Sequence, residues 1–222
     1  NRLVFHTSAE QPLDTKPGNT MVGSHINRNI TWAELAKPFM TYVARVSYML
    51  QQGRPTADLA YLLPEGAPST MPFWGDGLQP APPPGYDYDY FNTDILLHHT
   101  SVGADGRINL DDGMSYRLLM LPPTTQMTPE VLQKLHDMVA AGATILGPRP
   151  TASPSLLDYP RADVKVTALA TDLWGDMDGV TLNQHPYGKG MTYWGLSVDE
   201  VLHRLTTPPD FASTVPLENP PA

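Results

Sequence analysis

Residues 116–147, YRLLMLPPTTQMTPEVLQKLHDMVAAGATILG, constrain the fold more than any other part of this chain. Residues 116–121 form a short apolar run without helical spacing, which suits a strand covered on both faces of a parallel sheet. Thr128 is placed as an N-cap, and an apolar stripe at three- and four-residue steps follows it until Gly142. A second apolar run occupies 143–146. Two strands joined by one short helix should be parallel, so this unit predicts an α/β fold.

The flanking segments extend this unit into an open, mostly parallel sheet flanked by helices, of the class I amidotransferase-like or flavodoxin-like kind. Alternating and periodic apolar residues predict the additional elements. They are a strand at 57–63, a hairpin that begins at 107–110 and returns into the central strand, a helix at 163–174, paired strands at 180–184 and 191–196, and a capped helix from Ser197 through Leu205.

The first part of the chain has a different pattern. Leu3 to Phe5 is predicted as a buried strand, and a polar loop follows it. Thr31 and Glu34 form the pattern of a capping box that opens a long amphipathic helix. Pro38 lies inside this helix, so we expect either a kink there or a helix that begins near Lys37.

The polar loop after Phe5 carries side chains that suit a sugar or an anion: His6, Glu10, His25, Asn27 and Arg28. Long loops without structure of their own are often functional. Composition alone nevertheless favours an ordinary solvated surface loop.

A second candidate is GYDYDY at 85–90, which alternates aromatic rings with carboxylates. Rings pack on the apolar face of a sugar and carboxylates accept bonds from its hydroxyls, so Tyr86, Asp87, Tyr88 and Asp89 are candidate contacts. The alternative is an acidic helix entry with Asp89 or Asn92 as the cap.

Composition excludes several classes of protein. A net charge of −9 argues against a nucleic-acid partner, and no apolar run is long enough to predict a membrane span. Without cysteine the chain has no disulfide and no thiol nucleophile, as an amidotransferase would need. No nucleophile elbow, phosphate-binding loop or zinc motif is present. The tail 206–222 holds five prolines and no periodicity, and we expect no fixed fold there.

Several segments, taken in order along the chain, carry a resemblance to a known family. They are NRLVFHTSAEQP, SHINRNITWAE, YVARVSYMLQQGRPTADLAYLLPE, PPPGYDYDYFNTDILL, DGMSYRLLMLPP and YGKGMTYWG. Together they resemble the C-terminal half of glycoside hydrolase family 106, the α-L-rhamnosidases. The resemblance implies a catalytic (β/α)8 barrel (a TIM barrel) followed by an amidotransferase-like domain. The domains expected are then 1–54, the end of the barrel with an active-site loop and closing helix; 55–205, the α/β domain; and 206–222, a proline-rich tail.

The resemblance also implies a function. It makes the loop residues His6, His25, Asn27 and Arg28 the favoured candidates for binding rhamnose. The four GYDYDY residues, Tyr86, Asp87, Tyr88 and Asp89, form a weaker second set. Inverting hydrolysis needs an acid and a base carboxyl group, and no pair in residues 1–222 matches the family's glutamates. We therefore expect them upstream, in a remaining N-terminal part of the same secreted or periplasmic enzyme. Calcium is implied as a cofactor, without a ligand in this chain.

Two alternatives remain beside this interpretation. One is a non-catalytic α/β module for oligomerisation or carbohydrate binding. The other is a stand-alone enzyme whose site surrounds GYDYDY, in which Asp87 and Asp89 would be essential.

Overall fold

The computed structural model describes residues 3–5, 26, 30–66 and 77–212, and the chain divides into two units, 1–55 and 56–222. In the first unit, helix α1 spans Lys37–Leu50 after one 3-10 turn, Ala33–Leu35. The helix begins at Lys37, as Pro38 predicts, because proline is tolerated only in a first helical turn. The predicted capping box is absent, since the 3-10 turn moves the helix start past Thr31 and Glu34.

Leu3 to Phe5 form no strand in the structure, so the prediction of a buried strand is wrong for these residues. Their exposed fractions are 62%, 88% and 38%. A strand needs a neighbour that pairs with its backbone, and no described residue pairs with this segment. The barrel end and its closing helix remain predictions.

The second unit contains two sheets and four helices within its described residues. Its elements are β1 Leu59–Leu62, β2 Tyr88–Phe91, α2 Thr93–His98, β3 Thr100–Val102, β4 Ile108–Leu110, β5 Ser115–Tyr116, β6 Leu118–Met120, α3 Pro129–Ala141, β7 Thr144–Leu146, α4 Arg161–Trp174, β8 Gln184–Tyr187, β9 Gly190–Tyr193 and α5 Val198–Arg204. The main sheet has the order β2-β1-β6-β7-β9-β8, and β3-β4-β5 form a small antiparallel sheet.

The main sheet is parallel except for β8, which pairs antiparallel with β9. Successive strand residues face opposite sides, so Ala60 and Leu62 join one core while Leu59 and Tyr61 join the other. Helices α2, α3 and α4 cover the first face and α5 covers the second. The predicted class, an open and mostly parallel sheet flanked by helices, is confirmed.

The strand–helix–strand unit is formed as predicted. Thr128 caps α3 by accepting a hydrogen bond from the backbone N–H of Val131, and Gly142 ends it with a φ of 133°. Five side chains of α3 are buried against the sheet: Val131, Leu132, Leu135, Met138 and Val139. The local sequence was sufficient to predict this helix, because the N-cap residue, the apolar stripe and the terminating glycine all indicate the same boundaries.

Two predicted elements shift. Tyr116 belongs to the hairpin strand β5, and Arg117 separates it from the central strand β6. The strand predicted at 180–184 lies at Gln184–Tyr187 instead, because the carboxylate of Asp178 holds the backbone of Val180 and Leu182 in a tight loop.

The segment 206–212, predicted without a fixed fold, is attached to the sheet. The backbone N–H of Phe211 donates to Gly85 O at 3.0 Å, and the Tyr86 hydroxyl donates to Thr207 O at 2.8 Å. A Cβ at Gly85 would lie 2.4 Å from Phe211 O, so glycine is what permits this approach. Sequence periodicity could not reveal the attachment because it joins residues more than a hundred positions apart.

Candidate functional site

The first predicted sugar-binding set lies outside the described residues. His6, His25, Asn27 and Arg28 all fall there, as does Glu10. Their contact with rhamnose therefore stays a prediction from the sequence.

The second set lies along edge strand β2 and the residues before it. The pleat places the Tyr88 and Tyr90 rings beside the Tyr61 ring, with centroids 5.4 and 6.4 Å from it. On the other face, the Asp89 carboxylate accepts a hydrogen bond of 2.9 Å from the Tyr116 hydroxyl. The structure thus places rings and carboxylate on opposite faces of the sheet rather than around one sugar.

Tyr86 and Asp87 lie at the edge where the parallel strands begin. Tyr86 is bonded to Thr207, and the backbone N–H of Asp87 donates to the Asp210 carboxylate at 2.9 Å. The Asp87 carboxylate accepts from the backbone of Tyr88. These bonds hold the chain together and do not test sugar binding, which stays a prediction for all four residues. Asn92 caps α2, as one alternative predicted.

The same edge carries a group of charged residues, Asp58, Asp87, Arg107 and Asp210, here called the amino-edge cluster. The Arg107 guanidinium donates to Asp58 at 2.6 Å and to the Ser115 hydroxyl at 2.7 Å. The exposed fractions of the Arg107 and Asp58 side chains are only 23% and 11%. Burial raises the pKa of Asp210, and the nearby carboxylates of Asp58 and Asp87 add to the rise.

The opposite, carboxyl edge contains the topological switch point of the sheet. The chain leaves β1 towards β2 on one side, whereas it leaves β6 towards β7 on the other. In open α/β sheets, ligands bind in the crevice that such a reversal creates at the carboxyl ends of the strands. The switch point here lies between β1 and β6.

Two adjoining cavities of about 210 and about 190 Å3 occupy this position. They share Gln79, Leu121 and Pro123. We call them together the switch-point crevice. Its other lining residues are Tyr61, Leu62, Leu63, Pro64, Gly77, Leu78, Pro80, Tyr90, Pro122, Leu146, Gly147, Pro148, Trp194, Gly195 and Leu196.

The described lining of the crevice is uncharged. Its two phenols are protonated at neutral pH, as a phenol of ordinary pKa is. Burial raises the pKa of Tyr61 and of Tyr90 further, and neighbouring tyrosines add to the rise. The Tyr61 hydroxyl donates to Pro80 O at 2.8 Å, which holds the segment 77–80 over the strand ends. The Tyr90 hydroxyl is buried and has no hydrogen-bond partner among the described residues.

A third cavity of about 540 Å3 lies at the amino ends of α3 and α4. The Glu65 carboxylate accepts hydrogen bonds from the backbone N–H and the hydroxyl of Thr128, at 2.8 and 2.7 Å, and so occupies the amino end of α3. Arg161 pairs with Asp158 at the cavity wall. Because these charged groups already have partners, the cavity presents no single preference for an anion or a cation.

No helix in the described part of the chain has both the length and the apolar character that a membrane span requires. Among those same residues, no cluster of three or more His, Asp or Glu side chains could hold a metal ion.

Fold and crevice define an α/β domain whose parallel sheet reverses its winding at one point. The family model described as alpha-L-rhamnosidase, glycoside hydrolase family 106, matches residues 1–219. The chain therefore belongs to glycoside hydrolase family 106.

Two proteins of known name are similar to this chain. The structure of a rhamnosidase from Novosphingobium sp. PP1Y is similar at a TM-score of 0.71 and 28% identity, over 84% of this chain and 17% of the other. A protein of Formosa agariphila, provisionally named beta-glucuronidase, is 38% identical over 176 residues, which are 78% of this chain and 15% of the relative. The chain thus spans about one sixth of the length of these relatives.

Sequence reasoning did not find the switch-point crevice, although one signal was available. Pro64, Pro122 and Pro148 each lie two residues after the end of a parallel strand, β1, β6 and β7 respectively. Proline lacks an N–H and cannot continue the ladder. Three prolines at the same offset therefore mark the line along which three neighbouring strands stop.

Proposed function

We propose that this chain works as part of an α-L-rhamnosidase that removes terminal α-L-rhamnose from plant polysaccharides or rhamnosylated glycosides. The match of the family model over residues 1–219 carries this proposal. The likeness to a rhamnosidase structure also supports it.

In this proposal, the catalytic acid and base lie in a remaining part of the same enzyme, and hydrolysis inverts the anomeric centre. Such an enzyme needs two carboxyl groups separated widely enough to admit a water molecule. The most buried described carboxylate, Asp58, is paired with Arg107. Asp89 is bonded to Tyr116 and Glu65 to Thr128. These carboxylates hold the fold, which favours a catalytic pair contributed from elsewhere.

The contribution proposed for this chain is to hold the sugar. Imidazole, amide and guanidinium groups at His6, His25, Asn27 and Arg28 would donate hydrogen bonds to the ring hydroxyls. Such contacts orient the substrate before proton transfer. Export to the periplasm or the extracellular space, and calcium in the whole enzyme, belong to the same proposal.

The name of the Formosa relative motivates a second candidate, the cleavage of a β-glucuronide. Glucuronate carries a carboxylate, which requires a cationic partner such as Arg28. Activity on matched aryl α-L-rhamnosides and aryl β-D-glucuronides separates the two candidates. Faster turnover of the glucuronide would overturn the rhamnosidase proposal.

The first experiment is a native mass of the protein from its natural source, beside the denatured mass of each polypeptide in it. We expect the 24.4 kDa sequence to be found with a larger polypeptide or within one, and aryl α-L-rhamnoside turnover to require that larger species. Turnover by isolated residues 1–222 would contradict the placement of the catalytic pair.

Substitutions in the active species then test the two predicted sugar-binding sets. Asn27→Ala and Arg28→Ala should each raise KM about tenfold, as the loss of one hydrogen bond of roughly 1 kcal/mol or more predicts. The double variant Asp87→Asn, Asp89→Asn is the matched comparison. Complete loss of turnover in this double variant, with normal rates in the loop variants, would favour a site around GYDYDY instead.

A further inference from the structure

We propose that the switch-point crevice is a binding site for one uncharged saccharide unit, held by the side chain of Gln79 and by the aromatic and proline surfaces around it. The site rests on the crevice itself. The choice of L-rhamnose as the first sugar rests on the proposed function.

The position of the crevice is the first argument. It follows the ends of β1, β6, β7 and β9, where the backbone turns away from the sheet and leaves concave space. The segment 77–80 closes it from outside, fixed by the 94% burial of Leu78 and by the bond from Tyr61 to Pro80. A cavity bounded by strand ends and an anchored segment is preformed, so a ligand entering it orders little of the protein.

The absence of charge in the described lining determines the class of ligand. A carboxylate or ammonium group entering the crevice would lose its hydration without meeting an opposite charge among those residues, and that is costly. The third cavity differs, because Glu65, Arg161 and Lys165 line it. The crevice therefore selects for a neutral molecule.

The apolar surfaces fit a sugar ring. Trp194 and Pro123 provide the accessible flat surfaces of the crevice, with Pro123 at the junction of its two cavities, whereas Tyr61 is only 5% exposed. Flat aromatic and proline surfaces pack on the C–H face of a pyranose. A 6-deoxy sugar adds a methyl group, which suits leucine-lined walls better than the hydroxymethyl group of other hexoses.

The polar groups of the crevice complete the match. Gln79 has an exposed side chain at the junction of the two cavities, and its amide both donates and accepts. Neighbouring hydroxyls on a sugar need such a bifunctional partner. The volumes of about 210 and about 190 Å3 suit one ring with its substituents rather than an extended chain.

The test is calorimetric titration of the active species that contains residues 1–222 with methyl α-L-rhamnopyranoside. We expect a dissociation constant on the order of 1 mM, as for a small ligand held by few polar contacts. D-Glucuronate, the charged comparison, should bind at least about tenfold more weakly. Equal or tighter binding of glucuronate would overturn the assignment to an uncharged ligand.

Two variants assign the binding to the crevice. Gln79→Ala should weaken binding roughly 2- to 10-fold, the value of one neutral hydrogen bond. Pro123→Phe fills the shared part of the crevice from an exposed position and should abolish binding, while circular dichroism verifies that the protein is folded. Gln133→Ala is the matched control, because Gln133 lines the third cavity, and it should leave binding unchanged.

Binding that neither crevice variant changes, whatever the effect of Gln133→Ala, would place the sugar elsewhere and overturn the proposal. So would the absence of heat at sugar concentrations about tenfold above the expected constant. Binding is measured without turnover. A failure of the rhamnosidase proposal and a failure of this site therefore give different results, the first in the activity assay and the second in the titration.

Discussion

The two edges of the parallel sheet, where its strands begin and where they end, differ in charge and in open space. The amino-edge cluster gathers charged groups and pairs them, with Arg107 bonded to Asp58 and Ser115. The switch-point crevice presents uncharged side chains around open space. Charged groups are concentrated at the edge where Arg107 and Asp58 form an ion pair, whereas the described lining of the edge with concave space is uncharged. Stability should therefore respond to substitutions at the first end, and ligand binding to substitutions at the second.

The largest effect is expected for Arg107→Ala. The substitution leaves the Asp58 carboxylate, in a residue that is only 7% exposed, without its cation. Breaking a buried ion pair costs about 3–5 kcal/mol of stability. Because these side chains are partly exposed, we expect the free energy of unfolding to fall by about 3 kcal/mol, the lower end of that range. Urea unfolding measures it.

Arg161→Ala is the control for that prediction. Arg161 pairs with Asp158, but their side chains are 83% and 51% exposed. Exposed pairs contribute less than about 1 kcal/mol, so the urea midpoint should move little. Equal losses in the two variants would show that water reaches Asp58 and that the contrast between the two ends is weaker than described.

A smaller effect is expected from a matched pair of tyrosines. Tyr116→Phe removes the hydrogen bond to Asp89 and should cost about 1.5 kcal/mol, since the acceptor is charged. Tyr90→Phe removes a hydroxyl that has no hydrogen-bond partner among the described residues. Its free energy of unfolding should therefore stay within about 0.5 kcal/mol of that of the parent protein. Urea unfolding of both variants measures the two losses of stability. A larger loss for Tyr90→Phe than for Tyr116→Phe would contradict the hydrogen-bond assignment.

The smallest effect is expected at the loop beside Trp194. The Thr181 hydroxyl and the backbone N–H groups of Val180 and Leu182 donate to Asp178 and lower the pKa of its carboxyl group. A lowered pKa stabilises the fold above the usual carboxyl range, near pH 4, and this stabilisation is lost as the pH falls below it. Asp178→Asn should therefore lower the urea midpoint at pH 7 and differ less from the parent at pH 3.

Thr181→Val refines that measurement by removing only the first of these bonds. It should give a smaller decrease with the same dependence on pH. A difference between Asp178→Asn and the parent that grows as the pH falls would show that the charge of Asp178 does not stabilise the loop.

Elements that are fixed by interactions between residues close in sequence could be predicted, whereas elements that depend on distant residues could not. Helix α3 was predicted correctly because Thr128 and Gly142 are local signals. The strand at Gln184–Tyr187 was misplaced because the side chain of Asp178 competes with strand pairing. Apolar composition alone suggested a strand at Leu3 to Phe5, but it could not supply a pairing partner.

The candidate sites show the same limit. The alternation of GYDYDY suggested that its rings and carboxylates contact one sugar together, and sequence could not show that Asp89 faces Tyr116 on the other side of the sheet. The switch-point crevice is built from residues of six segments, which only the strand order brings together. Its proline offsets become informative once the strands are known to be neighbours.

The attachment of residues 206–212 to β2 has a consequence for the order of folding. Thr207 and Asp210 reach back more than 120 positions to Tyr86 and Asp87. Loops of that length close slowly. The bonds to Gly85, Tyr86 and Asp87 can form only after residues 207–211 have left the ribosome, whereas β2 itself pairs with β1, which is made much earlier. We therefore expect hydrogen exchange to protect the pairing of β1 with β2 before it protects the N–H groups of Asp87 and Phe211.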